Sequence, residues 1–302
     1  MSVCGERVVS GGWDNSARII NTNKSSAIIT FTAHQNKVHC VALSPTDKRA
    51  VSGGSDKCVR IWHTETGRQQ HVLSEHTSDV YAVAVSPNGY LLASASQDKT
   101  VKLWHMDTGK ILTTLMGHDD SVLSVAFNPD GQTLASGSHD CTIKLWKVQL
   151  GAEGLRYTLS GHHSLGVSAV AFTPNGERLA SSSWDGKILI WNWRTQVVDR
   201  ELTGHAGEIY SIAMFPDGNR LASGGRDQTV RIWNLDTGLI ERTLVRHRSW
   251  VNAVAVSGDG TRLASGGEDK TVRVWKMDCY DQELVPSSTR KLKCGKYKHS
   301  NQ

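Results

Sequence analysis

The chain contains 302 residues, carries a formal net charge of +5 and is 38% hydrophobic. It has no apolar run of the roughly 18 residues that a membrane helix requires and no hydrophobic signal segment after Met1, so neither a membrane span nor a secretory leader is predicted. The six cysteines stand singly, without metal-ligand spacing or a disulfide framework, and predict reduced thiols in a cytoplasmic or nuclear protein.

A repeat of 42 residues dominates the sequence. Successive aspartates of the repeat are 42 residues apart in five of six steps and 45 apart in the other. Asp14 starts the series, and each of the six later aspartates is followed six positions on by Trp, where the first copy has Ile20. A period of about 40 to 45 residues is typical of a propeller blade of four short strands, because such a blade buries its faces only against its neighbours.

The predicted strands follow this repeat in chain order. The first copy predicts only a second and a third strand, at about 6–10 and 16–20. Each later copy has an apolar first strand such as 122–127, a turn rich in Pro, Asn or Asp and Gly, a second strand, a tight turn at the Asp and an alternating third strand such as 142–146. A fourth strand, for example 111–115, follows a further turn. The pattern predicts a series of hairpins.

Two further residues recur with the Asp and the Trp. A Ser lies four positions before every Asp, and a His lies about 22 positions before six of them. Through segments such as GHDDSVLSVAFNPDGQTLASGSHDCTIKLW (117–146), the sequence resembles the WD-repeat β-propeller family from about Gly5 to Trp275. The resemblance implies an all-β fold, a seven-bladed WD-repeat β-propeller whose first blade is incomplete at the N-terminus.

In WD-repeat blades the recurring His, Ser, Asp and Trp form a hydrogen-bonded chain that ties the blade together, and the resemblance implies the same role here. For one repeat the His is His163 or its neighbour His162. The predicted structural network consists of His34, Ser52, Asp56, Trp62, His76, Ser94, Asp98, Trp104, His118, Ser136, Asp140, Trp146, His163, Ser181, Asp185, Trp191, His205, Ser223, Asp227, Trp233, His247, Ser265, Asp269 and Trp275.

The recurrence of Ser, His and Asp also raises the alternative of a hydrolase. An active site needs one exposed nucleophile, whereas this set recurs six times, and polar groups buried in a sheet must satisfy one another. The sequence contains no GxSxG, phosphate-loop, HExxH or EF-hand pattern. It therefore predicts a noncatalytic protein without a cofactor or a metal.

Aromatic residues on one rim of the propeller are the main functional signal. If strands alternate in direction, the turn after the second strand and the loop into the first strand lie on the same rim. Three tryptophans outside the third-strand position, Trp13, Trp184 and Trp250, fall on this rim, where exposed aromatics beside Arg are typical of protein interfaces. The alternative is that the rings fold over neighbouring blades. The predicted protein-binding residues are Trp13, Tyr81, Trp184, Tyr210, Arg226, Arg246, Arg248 and Trp250.

The predicted rim divides into an acidic and a basic arc. The loops around Glu75, Asp79, Asp119 and Asp120 are acidic, whereas the arginines lie with the aromatic residues in the last three repeats. Arginine binds carboxylates and phosphates through paired hydrogen bonds, and Trp adds buried area. The predicted partner is a protein or peptide with acidic or phosphorylated residues beside a hydrophobic anchor, since nucleic acid would require a broader positive surface. A solvated rim of mixed charge is the alternative.

One repeat suggests a second function. The segment LASSSWDGKILIWNWR (179–194) nearly matches the pattern of WD-repeat substrate receptors of cullin-RING ubiquitin ligases, but Asn192 stands where an acidic residue is expected. The protein would then be the noncatalytic subunit that supplies substrates to a ligase or to another enzyme complex. The alternative is that Trp193 and Arg194 cover the end of the third strand.

The two ends of the repeat region lead to separate predictions. The propeller is assigned to 1–277 and a basic tail to 278–302, with a last outer strand near Gln282–Val285 followed by disorder. The first repeat lacks its His and its first strand, which leaves an open edge beside the channel. We expect the chain to be a truncated form of a longer protein or to borrow a strand from its tail or from a partner.

Overall fold

The computed structural model describes residues 1–24, 26–148 and 154–277. Within these ranges the chain forms 26 strands and no helix. The strands build seven sheets, in each of which consecutive strands are neighbours. The predicted all-β, seven-bladed propeller is confirmed.

Five of the blades have four strands in the described ranges, and the first and last have three. Blade 1 comprises β1 (Arg7–Gly11), β2 (Ala17–Asn21) and β3 (Ser26–Phe31). Blade 2 comprises β4 (Val38–Leu43), β5 (Arg49–Gly54), β6 (Val59–His63) and β7 (Gln69–Leu73). Blade 3 comprises β8 (Val80–Val85), β9 (Leu91–Ser96), β10 (Val101–His105) and β11 (Ile111–Leu115). Blade 4 comprises β12 (Val122–Phe127), β13 (Thr133–Ser138), β14 (Ile143–Lys147) and β15 (Gly154–Leu159).

The remaining blades follow the same order. Blade 5 comprises β16 (Val167–Phe172), β17 (Leu179–Ser183), β18 (Ile188–Asn192) and β19 (Val197–Leu202). Blade 6 comprises β20 (Ile209–Met214), β21 (Arg220–Gly225), β22 (Thr229–Asn234) and β23 (Ile240–Val245). Blade 7 comprises β24 (Val251–Val256), β25 (Arg262–Gly267) and β26 (Val272–Lys276).

The first blade lacks an inner strand in the described part of the chain. β1 pairs with β2 and β2 pairs with β3, but no described strand pairs with the other edge of β1. The incomplete first blade is therefore confirmed, and its two predicted strands begin one residue later than expected. The strand predicted near 282–285 and the basic tail lie outside the described residues.

The turn between the second and third strands is built in the same way in every blade. The residue after the repeat Asp has a positive φ, for example 66° at Cys141 and 67° at Gln228. The Asp side chain accepts the backbone N–H two residues on, as in the 2.9 Å bond from Thr142 to Asp140. This local bond stabilises a tight turn, which forces the two strands into a hairpin and places the Asp on the rim.

The hydrophobic core lies between neighbouring blades. One cluster joins Ile143 and Leu145 of blade 4 to Val167 and Leu179 of blade 5, all at most 1% exposed. Successive side chains of a strand point to opposite faces of its sheet, so each blade packs on both of its neighbours. The hydrophobic contacts that stabilise the fold therefore lie between neighbouring blades around the ring, and not within single blades.

Blades 7 and 1 close the ring through their loops. Arg262 Nη1 donates to the carbonyl oxygen of Gly5 at 3.3 Å and also to Thr22 Oγ1. The backbone N–H of Asp259 donates to the carbonyl oxygen of Val3 at 3.0 Å. β1 packs beside β4 of blade 2 on its other side. These contacts place the open edge of β1 where the first and last blades meet.

Candidate protein-binding rim

A chain of three hydrogen bonds links the recurring residues of blade 6. The Trp233 indole N–H donates to Ser223 Oγ at 2.7 Å, and Ser223 Oγ lies 2.6 Å from His205 Nε2. His205 Nδ1 lies 2.9 Å from Asp227 Oδ2. The corresponding residues of blades 2, 3, 4, 5 and 7 make the same bonds.

Donor and acceptor chemistry sets the direction of this chain. The Asp227 carboxylate only accepts, so the His205 ring donates Nδ1–H to it, and in the neutral ring Nε2 then accepts the hydrogen of the Ser223 hydroxyl, whose oxygen accepts the Trp233 indole N–H. Ser223 is 0% exposed, and its oxygen is out of reach of a substrate. The satisfied chain ties the loop before the first strand to the second and third strands. In blade 5 this position belongs to His163, while His162 lies at the surface.

The network keeps its aspartates ionised. Burial opposes the ionisation of Asp56, but hydrogen bonds from His34 and Arg60 outweigh burial and lower the pKa of Asp56 to about 2. In the same way, hydrogen bonds from the paired His outweigh burial and hold the pKa well below its usual range at Asp98, Asp140 and Asp227. Each of these turns therefore carries a fixed negative charge near neutral pH.

A repeated backbone hydrogen bond brings the two predicted rim segments together. In blades 2 to 7 the residue before the Asp donates its N–H to a carbonyl near the start of the first strand of the same blade, over 2.8 to 3.1 Å. The bonded pairs are Ser55 with Lys37, Gln97 with Asp79, His139 with Ser121, Trp184 with Gly166, Arg226 with Glu208, and Glu268 with Trp250. Side chains of the Asp turns and of the loops into the first strands are consequently neighbours on one rim.

Four rim residues of blades 6 and 7 form a cluster, which we name the aromatic–arginine patch: Glu208, Tyr210, Arg226 and Trp250. The rings of Tyr210 and Trp250 lie 5.8 Å apart, and the Arg226 guanidinium lies 5.2 Å from the centre of the Trp250 ring. Arg226 Nη1 lies 2.7 Å from Glu208 Oε1, yet the Arg226 side chain is 51% exposed. Burial and the charge of Glu208 raise the pKa of Tyr210 to about 12, so its hydroxyl stays protonated.

Two further arginines precede Trp250 in the sequence. Arg246 and Arg248 lie on the loop between β23 and β24, which leads directly into Trp250, and both are exposed. Within the described ranges neither guanidinium has an ion pair, in contrast to Arg226. The basic arc thus contains two cations that are available to an external anion.

Trp184 occupies its predicted place on the rim, but the expectation that it is exposed is wrong. The residue is only 8% exposed, and its ring lies 5.1 Å from that of His139, edge to face. A Cβ on Gly166 would lie 3.1 Å from the Trp184 ring, so the missing side chain at Gly166 leaves the space that the indole fills. Trp184 therefore folds against the neighbouring blade, as the alternative interpretation of the rim aromatics predicts.

The other predicted aromatics lie apart from the patch. The Trp13 ring is half-buried, with the Lys37 ammonium 4.4 Å from its centre. The Tyr81 ring lies 5.5 Å from that of His39. The structure therefore brings Tyr210, Arg226 and Trp250 together, but places Trp13, Tyr81 and Trp184 at other blades of the rim.

Three residues of blades 2 and 3 form a polar contact that the sequence analysis did not predict. His39 Nε2 lies 2.7 Å from Ser55 Oγ, and Ser55 Oγ donates to Asp79 Oδ2 at 2.7 Å. The three residues come from segments more than 15 residues apart, and only their shared rim positions could have indicated the contact. The contact joins the first strand and the Asp turn of blade 2 to the loop that leads into blade 3.

In the segment that resembles ubiquitin-ligase receptors, the side chain of Trp193 is buried. Trp193 is 1% exposed, and its indole N–H donates to the carbonyl oxygen of Gly176 at 3.0 Å. The exposed Arg194 guanidinium lies 4.5 Å from the centre of the Trp193 ring. The indole belongs to the core beneath the end of β18, so only Arg194 is presented to a partner. Adaptor docking at this segment stays a prediction.

The described residues form neither a metal-binding cluster nor a membrane-crossing helix. No group of three or more His, Cys, Asp or Glu side chains in these ranges is placed to hold a metal ion. The same ranges contain no helix of the length and apolar character that crossing a membrane requires. Cys4, Cys40, Cys58 and Cys141 are free thiols, and burial raises the pKa of Cys40.

The fold and its repeated hydrogen-bond chains define a β-propeller built from sequence repeats. The chain belongs to the WD40 family, because the family model of the WD domain, G-beta repeat, matches residues 25–63, 67–105, 109–147, 154–192, 197–234 and 238–276. The first match runs from the outer strand β3 of blade 1 through β6 of blade 2, which is why six matches accompany seven blades. A comparison with curated proteins found no match.

Proposed function

We propose that this protein is a noncatalytic scaffold, a subunit of a multiprotein complex, that binds a peptide segment of a partner protein on the rim around Trp250. WD40 propellers generally act as protein-interaction scaffolds. Trp250 carries the proposal, because its half-buried ring lies beside that of Tyr210, at an interplanar angle of 33°, and beneath Arg226 on a rim with two further exposed arginines. Aromatic residues and arginine are enriched in the energetically dominant part of protein interfaces.

The chemistry of the rim favours a peptide with an anionic group next to an apolar side chain. Trp250 and Tyr210 offer a preformed aromatic surface to the apolar group. Arg246 and Arg248 can each donate two hydrogen bonds to one carboxylate or phosphate. Arg226, in contrast, already donates hydrogen bonds to the Glu208 carboxylate. An acidic or phosphorylated peptide therefore matches the site better than a basic one.

The buried network supports a noncatalytic role. The six network serines are at most 1% exposed, and each oxygen is held between an indole N–H and an imidazole. A nucleophilic serine must instead be open to its substrate. The ubiquitin-ligase alternative has no exposed aromatic in its segment to support it, and it is tested separately by reconstitution with adaptor and cullin.

The peptide-binding proposal is tested with synthetic peptides that carry a Leu or Phe beside phosphoserine, Glu, Ser or Lys. Binding to the full chain is measured by fluorescence anisotropy. We expect the phosphoserine and Glu peptides to bind most tightly, and more weakly as ionic strength rises. Trp250→Ala should weaken binding about 30-fold, and the double variant Arg246→Ala/Arg248→Ala about tenfold or more.

Arg68→Ala is the matched control, since Arg68 is exposed in the turn between β6 and β7 on the opposite rim. It removes one exposed positive charge, whereas the double variant removes two, and it should leave binding unchanged. The proposal fails if Arg68→Ala and the double variant have equal effects, or if the Lys peptides bind as tightly as the phosphorylated ones.

A further inference from the structure

The aromatic–arginine patch contains its own anion. Arg226 Nη1 donates to both oxygens of the Glu208 carboxylate, at 2.7 Å to Oε1 and at 2.9 Å to Oε2. The Glu208 side chain is only 15% exposed, whereas that of Arg226 is 51% exposed. Solvent and salt screen a partly buried pair less than a fully exposed one. Glu208 therefore cancels much of the charge that Arg226 would present to a ligand.

The fold does not require this ion pair. The backbone N–H of Arg226 donates to the carbonyl oxygen of Glu208 at 2.8 Å, and blades 2 to 5 and blade 7 have the same bond at the equivalent positions. The residues at those positions are Ser55 and Lys37, Gln97 and Asp79, His139 and Ser121, Trp184 and Gly166, and Glu268 and Trp250. None of these pairs joins a cation to a carboxylate, so the Glu208–Arg226 ion pair is a feature of blade 6 and not of the repeat.

Arg226 keeps donors for an external acceptor. Its hydrogen bonds to described residues use Nη1 alone, and Nε and Nη2 donate to none of them. These two nitrogens form one edge of the planar guanidinium, and such an edge can bind two oxygens of one carboxylate or phosphate. The same guanidinium lies 5.2 Å from the centre of the Trp250 ring. An anion on this edge would compete with an apolar group for the surface beside Trp250.

The charge of Glu208 opposes such an anion. A ligand anion on Arg226 would share one guanidinium with the Glu208 carboxylate, so repulsion between the two anions offsets part of the attraction to the arginine. The charge of Glu208 also acts on Tyr210, because it is the largest cause, after burial, that raises the pKa of Tyr210 to about 12. Glu208 thus influences both an arginine and an aromatic residue of the patch.

We propose that Glu208 is a specificity-determining residue of the rim, because it cancels the charge that Arg226 presents to a ligand. The rings of Tyr210 and Trp250 then take the apolar side chain of the peptide, and the anionic group binds Arg246 and Arg248. The inference rests on the proposed function and deepens it, since it assigns the two chemical groups of the peptide to different residues.

The first test measures inorganic phosphate at Arg226 without a peptide. Phosphate is added to the full chain, and the Nε–H signal of Arg226, assigned with Arg226→Lys, is followed by NMR. Glu208→Gln keeps the shape of the side chain and removes its charge. It should bind phosphate at this signal at least about fivefold more tightly than the wild type.

Glu65→Gln is the matched control for this measurement. Glu65 is exposed in the turn between β6 and β7 on the opposite rim, so the substitution changes the net charge equally but far from the patch. Its phosphate binding at Arg226 should equal that of the wild type.

The second test uses fluorescence anisotropy with the peptides that carry phosphoserine, Glu or Ser beside the apolar residue. Glu208→Gln should tighten binding of the phosphoserine peptide about tenfold and of the Glu peptide less, because the gain grows with the charge of the ligand. It should leave the Ser peptide unchanged. The double variant Glu208→Gln/Arg226→Gln removes both charges and should bind the phosphoserine peptide as the wild type does.

The outcomes separate this inference from the proposed function. If the wild type binds none of the peptides but Glu208→Gln gains phosphate binding at Arg226, the proposed function is wrong and the effect of Glu208 on Arg226 is supported. The inference is overturned if Glu208→Gln gains no affinity for phosphate, or if its gain is equal for the phosphoserine and Ser peptides. It is also overturned if the double variant retains the gain, since the gain would then not come from Arg226.

Discussion

Blade 6 and blade 1 have the same turn between their second and third strands but hold it differently. In blade 6 the Asp227 carboxylate accepts the N–H of Thr229 and also a bond from His205, and its side chain is 9% exposed. In blade 1 the Asp14 carboxylate accepts the N–H of Ser16 and pairs with Arg18 at 2.6 Å, and its side chain is 31% exposed. The turn survives where the network is absent.

The difference separates two roles of the recurring Asp. Its bond to the N–H two residues on shapes the hairpin and needs only local sequence. Its bond to His ties in a loop about 22 residues away, and blade 1 has no such loop among the described residues. Ile20 fits this context, because a Trp there would place an indole N–H against a serine that no histidine orients.

We expect the largest loss of stability when the network tryptophan of a complete blade is replaced. Trp233→Ala should lower the free energy of unfolding by about 3 to 5 kcal/mol, because it opens a cavity under a residue that is 1% exposed. Trp233→Phe retains most of the packing and loses the bond to Ser223, so its cost should be smaller. Urea unfolding of both variants checks this order, and equal losses would contradict it.

Two adjacent histidines in blade 5 test the network with the same substitution. His163→Ala should cost about 1 to 3 kcal/mol, because Ser181 and Asp185 each lose a buried partner. His162→Ala removes an exposed ring that packs edge-on against Trp191, and should cost less than about 1 kcal/mol. Thermal unfolding that shows equal losses would mean that the hydrogen bonds of His163 contribute nothing.

Blade 1 should tolerate the loss of its Asp better than blade 6. Asp14→Ala removes a partly exposed ion pair and the two turn bonds that Ser16 donates, and should cost about 1 kcal/mol. Asp227→Ala also leaves His205 without its partner and should cost more. The comparison is made by urea unfolding at constant pH, and a larger loss for Asp14→Ala would reverse our assignment of the two roles.

A change in pH probes one carboxylate of the network. Because the pKa of Asp56 is lowered to about 2 in the folded state from the ordinary value of 3.8, ionisation favours folding above pH 4. That contribution is lost as the pH falls through 2. Asp56→Asn should be less stable than the wild type at pH 6, and its stability should fall less between pH 4 and 2. Parallel curves for the two proteins would contradict the lowered pKa.

Strand positions were predictable because each repeat carries its own turn signals. The apolar run 122–127 coincides with β12, and 111–115 coincides with β11. Pro, Gly and Asp mark the turns on either side, and these residues act through local geometry. Trp184 was not predictable in the same way, since its exposure depends on the space above Gly166 and on a ring from the preceding blade.

The sequence by itself determined the number of blades, the hairpin turns and the membership of the hydrogen-bond network, because a fixed period repeats the same local chemistry and the same partners. Only the tertiary structure decided which rim aromatics meet. Tyr210 and Arg226 belong to one repeat and Trp250 to the next, and the distances from Trp250 to the other two follow from how blades 6 and 7 pack.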